Sequence, residues 1–223
     1  AGRHHRAIEL MEQAAALAAP ESEGAPMTSR QASTLTTIYS YLAGAHQHLA
    51  LFRDADRWAR VTIEFGQKHG LPMAVAIGYE FLGENACSAG EWTSGLEYAR
   101  REREVARRIH SRERMGWTHM YAGLCANLLG DVVRAEQEFR DGITLADAIS
   151  ERRLGCLLVC FLGEVQAATG RTDEALETEM RALQLADNLD LVHMKGEVRR
   201  ALASIRFRRG ETEEALHLIG EVY

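Results

Sequence analysis

The chain predicts an all-α fold, an α-α superhelix or solenoid of antiparallel helix hairpins, on three observations. The first is a period: Gly90, Gly130, Gly170 and Gly210 stand 40 residues apart. The second is a pair of small-residue columns in the same register. Gly95, Ala135, Ala175 and Ala215 follow the glycines by five residues, and Gly83, Gly123, Gly163 and Ala203 precede them by seven. Ala50, with Ala55 and Ala43, continues all three columns backwards. A fixed period of this size marks stacked repeats. The third is composition. Alanine, leucine, glutamate and arginine dominate, and only Pro20, Pro26 and Pro72 interrupt them, which favours helix.

Taken in order, residues 3–18 read as the second helix of a repeat, because Gly2 and Ala7 keep the five-residue offset. Residues 19–28, rich in Pro, Ser, Glu and Gly, form a loop. Residues 1–28 are thus a partial repeat and loop, followed by full repeats at 29–68, 69–108, 109–148 and 149–188 and a shortened one at 189–223. Each full repeat divides into two amphipathic helices, as at 152–169 and 171–188. Gly170 sits where the first helix ends, a position that favours the left-handed cap conformation. The second helix carries Ala175, Leu176, Ala182, Leu183 and Ala186 as one apolar stripe. Glycine inside a helix costs ~1 kcal/mol relative to alanine. Gly83, Gly123 and Gly163 therefore predict close approach of a facing helix at Gly95, Ala135 and Ala175. The chain starts and stops near repeat features and opens without methionine, which points to an excised segment of a longer protein.

These columns resemble the tetratricopeptide repeat. Its Leu-Gly pair, turn glycine and early alanine stand here as Leu82-Gly83/Gly90/Gly95, Ala122-Gly123/Gly130/Ala135, Leu162-Gly163/Gly170/Ala175 and Leu202-Ala203/Gly210/Ala215. Leu42-Ala43/Ala50/Ala55 is a degenerate copy. The period of that family is 34 residues. The longer one here lengthens each helix by about one turn. The family's aromatic is replaced by His46, Ala86, Ala126, Gln166 and Arg206, and its closing proline is absent. HEAT and armadillo repeats also suit the period, but the offsets of the small residues and the turn glycine are those of the tetratricopeptide family. The long-period form, with endings such as Leu183-Gln-Leu-Ala-Asp187, resembles the bacterial sensor arrays of maltose-activator-like signal-transduction ATPases and transcription regulators.

The formal net charge of −6 disfavours nonspecific nucleic-acid binding by the chain as a whole. Its longest apolar runs, such as Leu157 to Leu162, are too short to span a bilayer. Cys87, Cys125, Cys156 and Cys160 all fall in apolar helical stretches, which reads as reduced thiols in a cytoplasmic protein.

The resemblance implies that first helices line a concave groove. Its rungs here are Ser40, Glu80, Met120, Cys160 and Arg200; then Gly44, Glu84, Leu124, Glu164 and Ser204; then Gln47, Cys87, Asn127, Ala167 and Phe207. Within these, Glu80, Glu84, Met120, Leu124, Asn127, Cys160, Glu164, Arg200 and Phe207 are the partner-binding candidates. The basic residues that grip a terminal carboxylate in the chaperone-binding branch are missing, so an acidic groove for a basic or amphipathic peptide is expected. Solvated glutamates without a ligand are the plainer alternative. The arginines from Arg100 to Arg114 interleave with Glu97, Glu102, Glu104 and Glu113 at helical pairing distances, an ion-paired outer face. Cys156, Cys160 and His119 offer three zinc-ligating side chains without a fourth, and the cysteines read as core thiols.

No catalytic, cofactor or metal constellation meets the requirements of a site, so a noncatalytic interaction scaffold is expected, the repeat module of a larger bacterial regulator. A ligand- or peptide-sensing array that changes curvature on binding is the alternative. Partners are a protein or peptide and neighbouring domains of a longer chain, without membrane or direct nucleic acid. A weak homodimer is expected through Ile8, Leu10, Met11 and Leu17 at one end and Leu216, Leu218, Ile219 and Val222 at the other.

Overall fold

The computed structural model describes residues 2–18 and 27–220, side chains in the opening helix from His5 onward. The predicted loop at 19–28 therefore lies mostly outside the described residues, as does Val222. Among the described residues the chain is all-α, without strand. Its elements are α1 (Gly2–Ala18), α2 (Ser29–His48), α3 (Phe52–Lys68), α4 (Pro72–Ala89), α5 (Trp92–Arg108), α6 (Arg112–Leu128), α7 (Val132–Ile149), α8 (Arg152–Ala168), α9 (Thr172–Asn188), α10 (Val192–Arg208) and α11 (Thr212–Gly220). Two compact units divide it, residues 1–121 and 122–223, and the boundary falls within α6.

The turns repeat every 20 residues, twice as often as the glycine column. Gly90, Gly130, Gly170 and Gly210 have φ between 81° and 84°. Halfway between them, Gly70, His110, Ser150 and Asp190 are also left-handed, as is Ala50 at φ 57°. The next residue always donates its N–H to the carbonyl five residues back, as in Glu91 to Ala86 (2.8 Å) and Ser111 to Ala106 (2.9 Å). These bonds satisfy carbonyls left open at the helix end. Each helix from α2 to α10 therefore stops one or two residues before a left-handed residue, whether or not that residue is glycine.

Within the first unit α1 packs on α2, α2 on α3, α3 on α4 and α4 on α5; within the second α7 packs on α8, α8 on α9, α9 on α10 and α10 on α11. Alternate first helices also touch, α2 against α4 and α8 against α10. The core is built from the small columns. Ala55, Ala59, Ala99, Ala135, Ala175 and Ala182 are buried to 2% exposure or less. The closest backbone approach is at Gly78, where a Cβ would stand 2.8 Å from the Ala59 carbonyl oxygen and 2.4 Å from the Ile63 side chain.

The mid-helix glycines have a different reason from the predicted one. A Cβ at Gly83 would meet the Tyr121 ring at 2.9 Å, one at Gly123 the Phe139 ring at 2.4 Å, and one at Gly163 the Glu179 carboxylate at 2.6 Å. Phe139 and Glu179 stand one helical turn beyond Ala135 and Ala175, the small residues expected at those contacts. Each glycine is a notch for one large buried side chain, rather than a seam between two small residues.

Candidate partner-binding face

In the first unit, residues 36–48 of α2 and 77–81 of α4 present alternate turns of one face each, as helical spacing requires. Between them lies an open depression of about 640 Å³, reached also by Arg114 of α6. Tyr41 (62% exposed) and the half-buried Phe81 and Ile77 form its apolar walls. Thr36, Ser40 and His48 add polar groups. At its floor Glu80 and Arg114 form an ion pair, each side chain only 14% exposed. Burial pushes the Glu80 carboxyl up, with Arg114 opposing.

Behind that pair sits Glu102, on α5, fully buried. Neither of its carboxylate oxygens has a hydrogen-bond partner. Burial raises its pKa well above the usual carboxylate range, and the charge of Glu80 raises it further, while Arg114 works against both. A buried carboxyl without partners is held neutral for this reason.

The second unit carries a smaller hollow of about 180 Å³ between α8 and α10, lined by Glu164, Ala167, Arg200, Ser204 and Arg208. Arg200 lies 3.3 Å from Glu164 and 2.9 Å from Glu197. Burial raises the Glu164 pKa against the pull of Arg200. Under this hollow lies Glu179, the occupant of the Gly163 notch. Desolvation lifts its pKa to about 8, aided by the charge of Glu164. The thiols of Cys156 and Cys160 are buried, and Cys156 donates to the Ala182 carbonyl oxygen at 3.5 Å. Burial raises both thiols, Cys156 to about 11, so neither is a ready nucleophile or metal ligand.

The structure sorts the candidates as follows. Glu80 and Glu164 reach surface hollows, but each is matched by an arginine, Arg114 and Arg200. Where an acidic groove was expected, each of these two places therefore holds an ion pair. Glu84 is half-buried, and its charge acts on Glu102. Met120 and Cys160 are buried; Leu124 and Asn127 are half-buried; Phe207 is 65% exposed on α10. The arginine run on α5 matches its expectation in part: Arg100 and Arg101 bond Glu97, and Arg100 also bonds Glu104. Glu102 departs from it by facing inward.

Tyr41 and Phe81 were not singled out, nor was the burial of Arg114 and Glu102, both expected on an ion-paired outer face, or that of Glu179. The last three carry a signal in the repeat columns. Arg114 stands where Ala74, Leu154 and Met194 are buried core residues. Glu102 stands where Thr62, Gly142 and Ala182 are buried, and Glu179 where Ala59, Ala99 and Phe139 are. A charge in a column otherwise small or apolar is visible before any coordinates. Tyr41 and Phe81 lie just beside the Ser40 and Glu80 rung and carry no such mark.

No family model matches the chain, and no curated protein matches it. Solved structures do. BtubC (BKLC) from P. vanneervenii superposes with a TM-score of 0.74 at 16% identity, over 99% of this chain and 87% of that one. A Rap protein complexed with competence and sporulation factor gives 0.67 at 13% identity, over 87% of this chain and 64% of that one. A signal-transduction ATPase with numerous domains and a tetratricopeptide-repeat sensor, from Pyrococcus horikoshii, gives 0.66 at 16% identity. This chain is covered to 98% there, but spans only 38% of that protein. Among the described residues no helix is long and apolar enough to cross a membrane. The period, the left-handed turns, the consecutive helix packing and these likenesses agree: the chain has the fold of the tetratricopeptide-repeat-like helical arrays.

Proposed function

We propose that the chain is a noncatalytic protein-binding module whose partner is an amphipathic peptide segment, held in the depression between α2 and α4. The observation that carries this is the depression itself: about 640 Å³ of open space, with apolar walls at Tyr41, Ile77 and Phe81 and a few polar groups at fixed places. Mostly apolar hollows with few placed polar groups are where ligands and peptide side chains bind. The superposable Rap protein is complexed with competence and sporulation factor, and the superposable signal-transduction ATPase carries its repeats as a sensor. Both support a binding role; we read the chain further as the repeat module of a larger cytoplasmic regulator that includes transcription control. The hollow at Glu164 and Arg200, with Phe207 exposed on α10, is a separate candidate on the second unit. A sensing role, in which the peptide changes the curvature of the array, is the second reading and draws on the same likenesses. Weak self-association through apolar residues of α1 and α11 accompanies the proposal.

Selection from a displayed peptide library tests it. Enriched peptides should bind the wild type and lose at least about tenfold in affinity on Tyr41→Ala, the range of an aromatic anchor. Arg107→Ala, on the exposed face of α5, should leave affinity unchanged. Peptides that ignore Tyr41→Ala would place the binding face elsewhere.

A further inference from the structure

The first unit holds charges that its packing does not require. Arg114 and Glu102 occupy columns that are apolar or small in the other repeats, and both are withdrawn from solvent. Burying an ionisable group costs several kcal/mol, so a hydrophobic pair would serve stability better. Arg114 is also shared unequally. It bonds Glu80, sits 3.6 Å from Glu113, and feels the charge of Glu102, which it does not bond. Glu102 is faced by Glu80 and Glu84 from α4, by Arg114 from α6 and by Arg103 on its own helix. Arg103 is already committed to Thr118 (3.4 Å) and His119 (3.4 Å). One guanidinium therefore stands between two carboxyl groups, one open to the depression and one sealed behind it.

We propose that the depression takes a cationic side chain of the partner, an arginine or lysine, against Glu80, and that its arrival releases Arg114 to pair with the buried carboxyl of Glu102. Charge complementarity selects the occupant: Glu80, Glu102 and Glu113 act on Arg114, and Glu84 acts on Glu102, so an added anion would meet a site rich in carboxyl groups. In the free protein Glu102 keeps its proton, because burial penalises the charged form. When Arg114 turns to it, the O–H bond of Glu102 breaks and the proton leaves to solvent, while the guanidinium stays protonated. The incoming cation replaces Arg114 at Glu80, so Glu80 and Glu102 both end paired. Binding is thereby coupled to release of one proton, and affinity rises with pH over the range where free Glu102 is protonated. This rests on the reading that the depression binds a peptide.

The test uses acetyl-Leu-Arg-Leu-Leu-amide and its citrulline counterpart, which keeps the shape and loses the charge. His48 also lines the depression, so titrations are done in a His48→Gln background. Calorimetry in two buffers of different ionisation enthalpy, across pH 6 to 8, reads affinity and proton release together. The arginine peptide should bind at least about tenfold more tightly than the citrulline peptide, a difference of ~1.4 kcal/mol. Its Kd should fall as pH rises, with net proton release. Glu80→Gln should remove the preference for arginine. Glu102→Gln should keep that preference and abolish the proton release. Equal binding of the two peptides overturns the proposal, and if Tyr41→Ala removes both, the depression still binds peptides and only the cation assignment falls. Equal proton release from wild type and Glu102→Gln overturns the relay. Absence of binding by either peptide overturns the proposal and the reading beneath it. The comparison of the two peptides on the His48→Gln protein stands even if Glu102→Gln does not fold.

Discussion

At the scale of single residues, the notch at Gly163 is the sharpest statement the structure makes. Glu179 fills it, with Cγ and Cδ each 2.9 Å from where a Cβ would stand, and a fully buried side chain has no room to turn away. Gly163→Ala should therefore destabilise by ~1–3 kcal/mol through overpacking, despite the better helix propensity of alanine. In a Glu179→Ala background the same change should become stabilising by ~0.5–1 kcal/mol, the propensity gain alone. Chemical denaturation of the four proteins checks it. Equal effects in both backgrounds would mean that the notch does not exist for Glu179.

Glu179 also makes a prediction in pH. Its pKa in the folded chain is lifted to about 8 by burial, against ~4.3 in an unfolded chain. The folded state thus binds a proton that the unfolded state has lost, between those two values. This term leaves stability intact below the unfolded value and erodes it as pH rises, by up to ~1.4 kcal/mol per pH unit, until the folded carboxyl itself ionises near pH 8. Glu102 acts in the same direction. Thermal melts from pH 5 to 8 should show the wild type losing stability steadily, and Glu179→Gln should reduce the slope. An unchanged slope would mean that this carboxyl is ionised in the fold.

At the scale of helices, the joints decide length and direction. A left-handed residue every 20 positions ends each helix in the same way, but only some of these positions are glycine. Left-handed backbone costs an L-residue with a Cβ ~1 kcal/mol or more, and asparagine or aspartate less because their side chains bond locally. Ala50, at φ 57°, has no such side chain. Ala50→Gly should stabilise by up to ~1 kcal/mol, and Gly90→Ala should destabilise by a similar amount. Opposite signs in matched denaturation curves are the expected result; the same sign for both would contradict the turn assignment. Five of these helices begin without a side-chain cap, at Leu51, Leu71, Glu91, Arg171 and Leu191, while Thr28 closes a capping box with Gln31, and Asp131 and Glu151 accept from the N–H groups of Arg134 and Leu154. The uncapped starts are held by the preceding turn instead.

At the scale of the molecule, apolar residues remain exposed on the outer helices. Leu17 is 87% exposed on α1, and Leu216 and Ile219 are 67% and 38% exposed on α11. Exposed apolar surface on a helix favours association. Sedimentation velocity should show a concentration-dependent weak dimer, and Leu216→Glu with Ile219→Glu should shift it toward monomer. A concentration-independent monomer in the parent would count against it. Dimer formation through these helices should leave the peptide affinity of the depression unchanged.

What the sequence determined by itself was the periodic part. The 40-residue columns of Gly90, Gly83 and Gly95 with their copies give the helix number, the hairpin order and every second turn, because backbone sterics depend on residues close along the chain. Glu80 and Glu164 were expected on a groove only through the family resemblance, and each lines a hollow of its own unit. What only the tertiary structure decided is the partner of each group. Glu80 meets Arg114 across 34 positions, and Glu164 meets Arg200 across 36. The notch at Gly163 holds Glu179 rather than Ala175, because a missing Cβ is filled by whichever neighbouring side chain can reach it. Burial is likewise a property of the assembled helices: it turns Glu102 and Glu179 from two among many glutamates on helices into carboxyl groups that hold their protons.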